Sequence, residues 1–68
     1  MEELFGWFIG TSDDAKIVTD GEQISVLHGG KVIGSVEMYP QGYYINATNC
    51  TVIVNPENNT IKILPGNP

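Results

Sequence analysis

Apolar and polar residues alternate on both sides of Gly29-Gly30, from Glu22 to Met38. Alternation with a period of two marks half-buried strands, so this stretch reads as a central hairpin. Two closures compete. If Gly29-Gly30 alone forms the loop, His28 faces Lys31 and Leu27 faces Val32. One face then mixes Ile24, Val26 and Ile33 with Glu22, Ser35 and Glu37, and Glu22 stands opposite Glu37, a like-charge pair. If His28-Gly29-Gly30 is the loop, Gly30 takes the left-handed conformation and Leu27 faces Lys31. Ile24, Val26, Val32, Gly34, Val36 and Met38 then share one face. Gln23, Ser25, Leu27, Lys31, Ile33, Ser35 and Glu37 share the other. A one-residue slip turns a whole strand over, so the cleaner partition is the expected one. It places Val26 opposite Val32; Ile33 in that place would refute it.

Leu4-Phe5-Gly6-Trp7-Phe8-Ile9 does not alternate. Read as one strand, it puts Phe5, Trp7 and Ile9 on one face and Leu4, Gly6 and Phe8 on the other. A strand apolar on both faces needs cover on both. Either a partner chain supplies it, with Trp7 as an anchor, or the run is a central strand with Trp7 in the core.

Thr11-Ser12-Asp13-Asp14 reads as a loop, and the β-branched Ile17-Val18-Thr19 as strand. Asp20-Gly21 signals a turn, so Lys16 to Thr19 is expected to pair with the strand beginning near Glu22. Tyr39-Pro40-Gln41-Gly42 suits a type I turn, with proline second and glycine fourth. Tyr43 to Asn46 is a short strand, and Ala47-Thr48-Asn49 turns the chain. Cys50 to Val54 and Thr60 to Leu64 form a last pair around the Asn55–Asn59 loop. If Val54 faces Ile61, then Val52 faces Ile63, and all four share a side.

No stretch carries a 3.6-residue apolar period. The expected fold is a single all-β domain over residues 1–68. It is a small antiparallel meander of six to seven short strands, forming a closed barrel or a two-layer sandwich around the hairpin 22–38. A chain of 68 residues buries only about 60% of its unfolded surface. With one cysteine it has no intrachain disulfide to help. Small cores without staples often lean on self-association, so a homo-oligomer is expected.

Composition narrows the function classes. The net charge is −5, with eight acids, three lysines and no arginine. Arginine is the usual reader of phosphates and base edges, so direct nucleic-acid binding is not expected. No segment has the ~20 apolar residues that cross a bilayer as a helix. The first residues carry neither a basic region nor a long apolar run, so no secretory signal is expected and the chain is taken as cytoplasmic with its thiol reduced. The triplets at Asn46, Asn49 and Asn58 that fit a glycosylation acceptor are then by-products of an Asn- and Thr-rich tail.

Candidate chemistry is sparse. Histidine is a common general base; His28, the only one here, would need an orienting carboxylate and a nucleophile or substrate pocket, and the sequence indicates neither. A polar loop-tip residue is the simpler reading. Cys50 alternates in phase with Val52 and Val54 and reads as a small buried hydrophobe. Asp13-Asp14 with Asp20 and Glu22 lacks calcium-loop spacing, and one thiol makes no zinc site, so no metal is expected. Gly29-Gly30-Lys31 lacks the rest of a phosphate loop. No catalytic set and no cofactor are expected.

The leading expectation is a small acidic, non-enzymatic protein-binding module that self-associates. Its candidate partner-binding residues are Phe5, Trp7, Ile9, Asp13, Asp14, Asp20, Glu22, Tyr39 and Tyr43. A sharper version has the acidic first half cover a basic surface of a nucleic-acid-handling protein. Compact acidic proteins of this kind occur among phage-encoded inhibitors, an analogy of size and charge and not of motif. The alternative is a β-barrel that binds a small ligand or carbohydrate at its mouth through Tyr39, Tyr43 or Tyr44.

Overall fold

A computed structural model describes residues 2–66 of the chain. It is all-β, with eight strands. They are β1 (Glu2–Leu4), β2 (Trp7–Gly10), β3 (Lys16–Asp20), β4 (Gln23–His28), β5 (Lys31–Tyr39), β6 (Gly42–Ala47), β7 (Cys50–Asn55) and β8 (Thr60–Pro65). They form two four-stranded sheets, ordered β1-β2-β8-β7 and β3-β4-β5-β6. One core lies between them. Leu4, Ile9, Ile61 and Ile63 come from the first sheet, and Ile24, Val26, Val36 and Met38 from the second.

This corrects the expected architecture in three ways. The strands number eight because the apolar run 4–9 is not one strand. It folds back at Phe5-Gly6, and Leu4 pairs with Trp7 while Glu3 pairs with Phe8. Of the two expected packings the closed barrel is ruled out and two packed layers remain, because the chain passes from sheet to sheet and leaves each sheet with two edges. The meander is also incomplete: β2 lies parallel to β8, with Ile9 beside Ile61. The second sheet alone is a simple antiparallel meander.

A further correction concerns the central hairpin. His28 faces Lys31, so the loop is the two residues Gly29-Gly30 and not His28-Gly29-Gly30. Both glycines have positive φ, 61° and 79°, the type I′ geometry whose twist matches the flanking strands. The register then shifts between Val26 and Leu27, and Val26 faces Gly34, neither of the two partners considered from the sequence. The bulge supplies one extra residue on β5, Ile33. Beyond it Ile24, Val26, Gly34, Val36 and Met38 share the buried face, as expected, while Val32 is exposed. The shift also sets Gln23, not Glu22, against Glu37. The two-residue turn is kept, and the bulge removes the like-charge pair that counted against it.

The Ile33 carbonyl accepts a hydrogen bond from the Thr48 backbone N–H at 2.8 Å and one from the Cys50 thiol at 3.3 Å. These bonds hold the crossover from β6 to β7. Cys50 is half-buried and packs against the core. On β7 and β8, Val54 faces Ile61 and Val52 faces Ile63. Gly34 lies where the sheets approach: a Cβ there would sit 2.9 Å from Ile63 Cγ2 and 3.1 Å from the Asn46 carbonyl.

Candidate functional site

Three turns meet at one end of the molecule. Phe5-Gly6 joins β1 to β2, Gly21-Glu22 joins β3 to β4, and Pro40-Gln41 joins β5 to β6. Neither Pro40 nor Gln41 has positive φ, consistent with a type I turn. Between the turns lies an open groove of about 590 Å³ lined by Phe5, Trp7, Glu22, Met38, Tyr39 and Pro40, with Gln41 and Gly42.

Phe5 and Gly6 have φ of 50° and 84°. They form the same type of two-residue turn as Gly29-Gly30, with a bulky ring at the first left-handed position. A bulky side chain is rare there, since its Cβ crowds the backbone. The Phe5 ring is 70% exposed, so burial does not offset that strain. Trp7 behind it is half-buried and stands against Tyr43, with ring centroids 5.2 Å apart and planes at 60°. That tilted arrangement is favourable for aromatic rings.

The acids beside the groove are Asp20, Glu22 and Glu37, which line an adjoining cleft with Met38 and Tyr39. The Tyr39 hydroxyl donates to Glu37 Oε2. That bond to a carboxylate, with minor help from desolvation and nearby charge, raises the phenol above its ordinary pKa. Tyr44 lies opposite Glu37, and Tyr43 opposite Met38, so the two tyrosines occupy different faces of β6.

Of the sequence-derived candidates, Phe5, Trp7, Glu22 and Tyr39 line the groove, Tyr43 backs it, and Asp20 borders it. Ile9 is removed as a partner contact: it is fully buried, because the fold-back at Phe5-Gly6 turns it into the chain's own core. Asp13 and Asp14 lie away from the groove, in the loop before β3, so the acidic residues do not make one face. The Asp14 carboxylate accepts the Ser12 hydroxyl and approaches His28 Nε2 at 3.3 Å. The Ser12 bond, chiefly, holds Asp14 below the usual carboxylate range; desolvation opposes it, and a backbone hydrogen bond and then the His28 imidazole add smaller lowering contributions.

Asp14 is the carboxylate that the sequence did not indicate for His28. The hydroxyl, however, bonds the carboxylate and not the imidazole, so histidine is not placed to take the serine proton as a nucleophilic triad requires. Among the described residues no three metal-ligating side chains cluster, and no helix is long and apolar enough to cross a membrane. Met38, Pro40 and Glu37 were missed as site residues. Glu37 and Met38 were read only as hairpin positions and Pro40 only as part of the turn at 39–42; the meeting of that turn with Phe5-Gly6 is a contact between sheets. Comparison with protein-family models, with curated proteins and with solved structures gives no match.

Proposed function

We propose that this chain is a small non-enzymatic protein-binding module that self-associates and docks a partner protein in the groove at the three-turn end. The observation that carries the reading is Phe5. Its ring stands in solvent on a left-handed backbone, where the fold gains nothing from it and a partner can. Trp7, Tyr39 and Pro40 beside it give the apolar floor and aromatic anchors that binding hot spots use. Asp20, Glu22 and Glu37 on the flank favour a partner with lysines or arginines at the contact rim. A basic surface on a nucleic-acid-handling protein has that chemistry. A second reading, a small apolar ligand, is favoured by the groove's volume, which lies in the range of ligand pockets.

The test compares wild type with Phe5→Asn in affinity capture from cells that encode the protein, followed by mass spectrometry. Asparagine suits the turn, so the fold is retained. A partner held by wild type and lost by F5N supports the reading. Equal capture by both overturns the groove as the docking site. Trp7 fluorescence during a ligand screen tests the second reading, which fails if no small molecule changes it.

A further inference from the structure

We propose that two copies of this chain pair through their β3 strands, antiparallel and centred on Val18, to make one continuous eight-stranded sheet. The inference rests on the self-associating part of the reading above and names its interface.

The edges of the two sheets are not equivalent. β1 has three residues, two of them Glu2 and Glu3, the short charged edge that discourages pairing. β6 and β7 adjoin at the crossover between sheets. β3 is a longer edge than β1, and its charges, Lys16 and Asp20, stand only at its two ends. It has five residues, no proline and a one-to-one register with β4. Val18 at its centre is 47% exposed.

Geometry decides which backbone groups are free. The Gly21-Glu22 turn has positive φ only at Gly21, the type II′ pattern, and it closes on Asp20 and Gln23 as a hydrogen-bonded pair. Such pairs alternate along an antiparallel ladder. Lys16, Val18 and Asp20 therefore direct their N–H and C=O groups to β4. Ile17 and Thr19 direct theirs outward, with no strand beyond them among the described residues.

A second β3 can meet these groups in few registers, and charge selects among them. Centred on Val18, Ile17 of each copy exchanges two hydrogen bonds with Thr19 of the other. Lys16 of each then stands beside Asp20 of the other, on the same face as the two Val18 side chains. Centred on Ile17, Asp14 would instead approach Asp20 of the other copy, acid against acid. Centred on Thr19, the paired segment runs out into the Gly21 turn. The sequence Lys-Ile-Val-Thr-Asp is thus self-complementary in hydrogen bonding and in charge about Val18. A two-fold axis there leaves the two grooves open at opposite ends of the pair.

Sedimentation equilibrium tests this with K16D, D20K and their mixture. Wild type is expected to rise from 7.4 kDa to twice that mass with concentration. Each single reversal sets like charges face to face at both symmetry-related sites and is expected to weaken pairing about tenfold. D20K reduces the net negative charge, which by itself favours association, so weakening by D20K reports the local contact. An equimolar mixture of K16D and D20K restores an acid opposite a lysine at each site and is expected to dimerise again. Circular dichroism checks that each variant is folded. Wild type that stays monomeric at millimolar concentration overturns self-association as a whole. A dimer indifferent to either reversal, or a mixture that does not associate, overturns the β3 interface alone.

Discussion

The two turns built on paired left-handed residues lie at different ends of the molecule, and they differ in one residue. At one end Gly29-Gly30 gives the backbone what a type I′ turn needs, beside polar His28, Lys31 and Asp14. At the other, Phe5-Gly6 makes the same shape with a bulky ring at the first position, beside Trp7, Tyr39 and Pro40. A turn that only had to reverse the chain would carry glycine or asparagine at both places. The glycine end is therefore read as the part that sets register, and the phenylalanine end as the part that presents a surface. Substitutions should separate the two: stability at the first, binding at the second.

The largest effect is expected just inside the glycine end, beyond the bulge. Gly34→Ala places a methyl group 2.9 Å from Ile63 Cγ2, with a backbone carbonyl at 3.1 Å. The sheets must part or Ile63 must leave its rotamer, an overpacking loss of about 1–3 kcal/mol. Urea unfolding measures it; an unchanged midpoint would mean that the sheets are not packed this closely. Next comes Gly29→Phe, which copies the Phe5-Gly6 turn into the central hairpin. It should lower stability by about 1–2 kcal/mol, because a positive φ is forced on a bulky residue. Phe5→Asn is the converse change and should raise stability by about 0.5–1 kcal/mol while removing partner capture. If F5N destabilises the fold instead, the ring serves packing and the contrast between the ends fails.

These positions also show what a sequence can disclose. The β7–β8 pairing was legible because Val52, Val54, Ile61 and Ile63 alternate on both sides of one loop. The β3–β4 hairpin was legible from Asp20-Gly21 between β-branched runs. The Phe5-Gly6 turn was not, since phenylalanine is no turn former and the run around it is apolar throughout. The parallel contact of β2 with β8 joins segments about fifty residues apart, and no local period reports it. The bulge was half legible. Alternation identified Ile24, Val26, Gly34, Val36 and Met38 as one face, but a wider loop reproduces that parity as well as a tight turn plus one extra residue. The likeness of charge at Glu22 and Glu37 was a correct objection to the unbulged hairpin, and the bulge is how the chain meets it. The groove depended on the same missed fold-back, so Phe5 and Trp7 could be named from the sequence but not brought together with Met38 and Pro40.

The smallest effect concerns the polar end and pH. Asp14 is exposed and has its pKa lowered chiefly by the Ser12 hydroxyl, then by smaller contributions that include His28. A carboxyl whose folded pKa lies below its unfolded value contributes stability above the unfolded value and loses it as pH falls through the folded one. Wild type should therefore exceed Asp14→Asn slightly near neutrality, and the gap should close in acid below the ordinary carboxylate value of 3.8. Because the group is exposed, added salt should shrink the share of the effect due to His28. Carboxyl carbon NMR titration gives the sharper reading. Ser12→Ala should move the Asp14 midpoint upward by more than His28→Gln does, in the order of the two causes. A larger shift from H28Q would make the imidazole contact dominant and would tie the start of β3 to the Gly29-Gly30 turn by charge, where the Ser12 bond makes it an ordering within the loop.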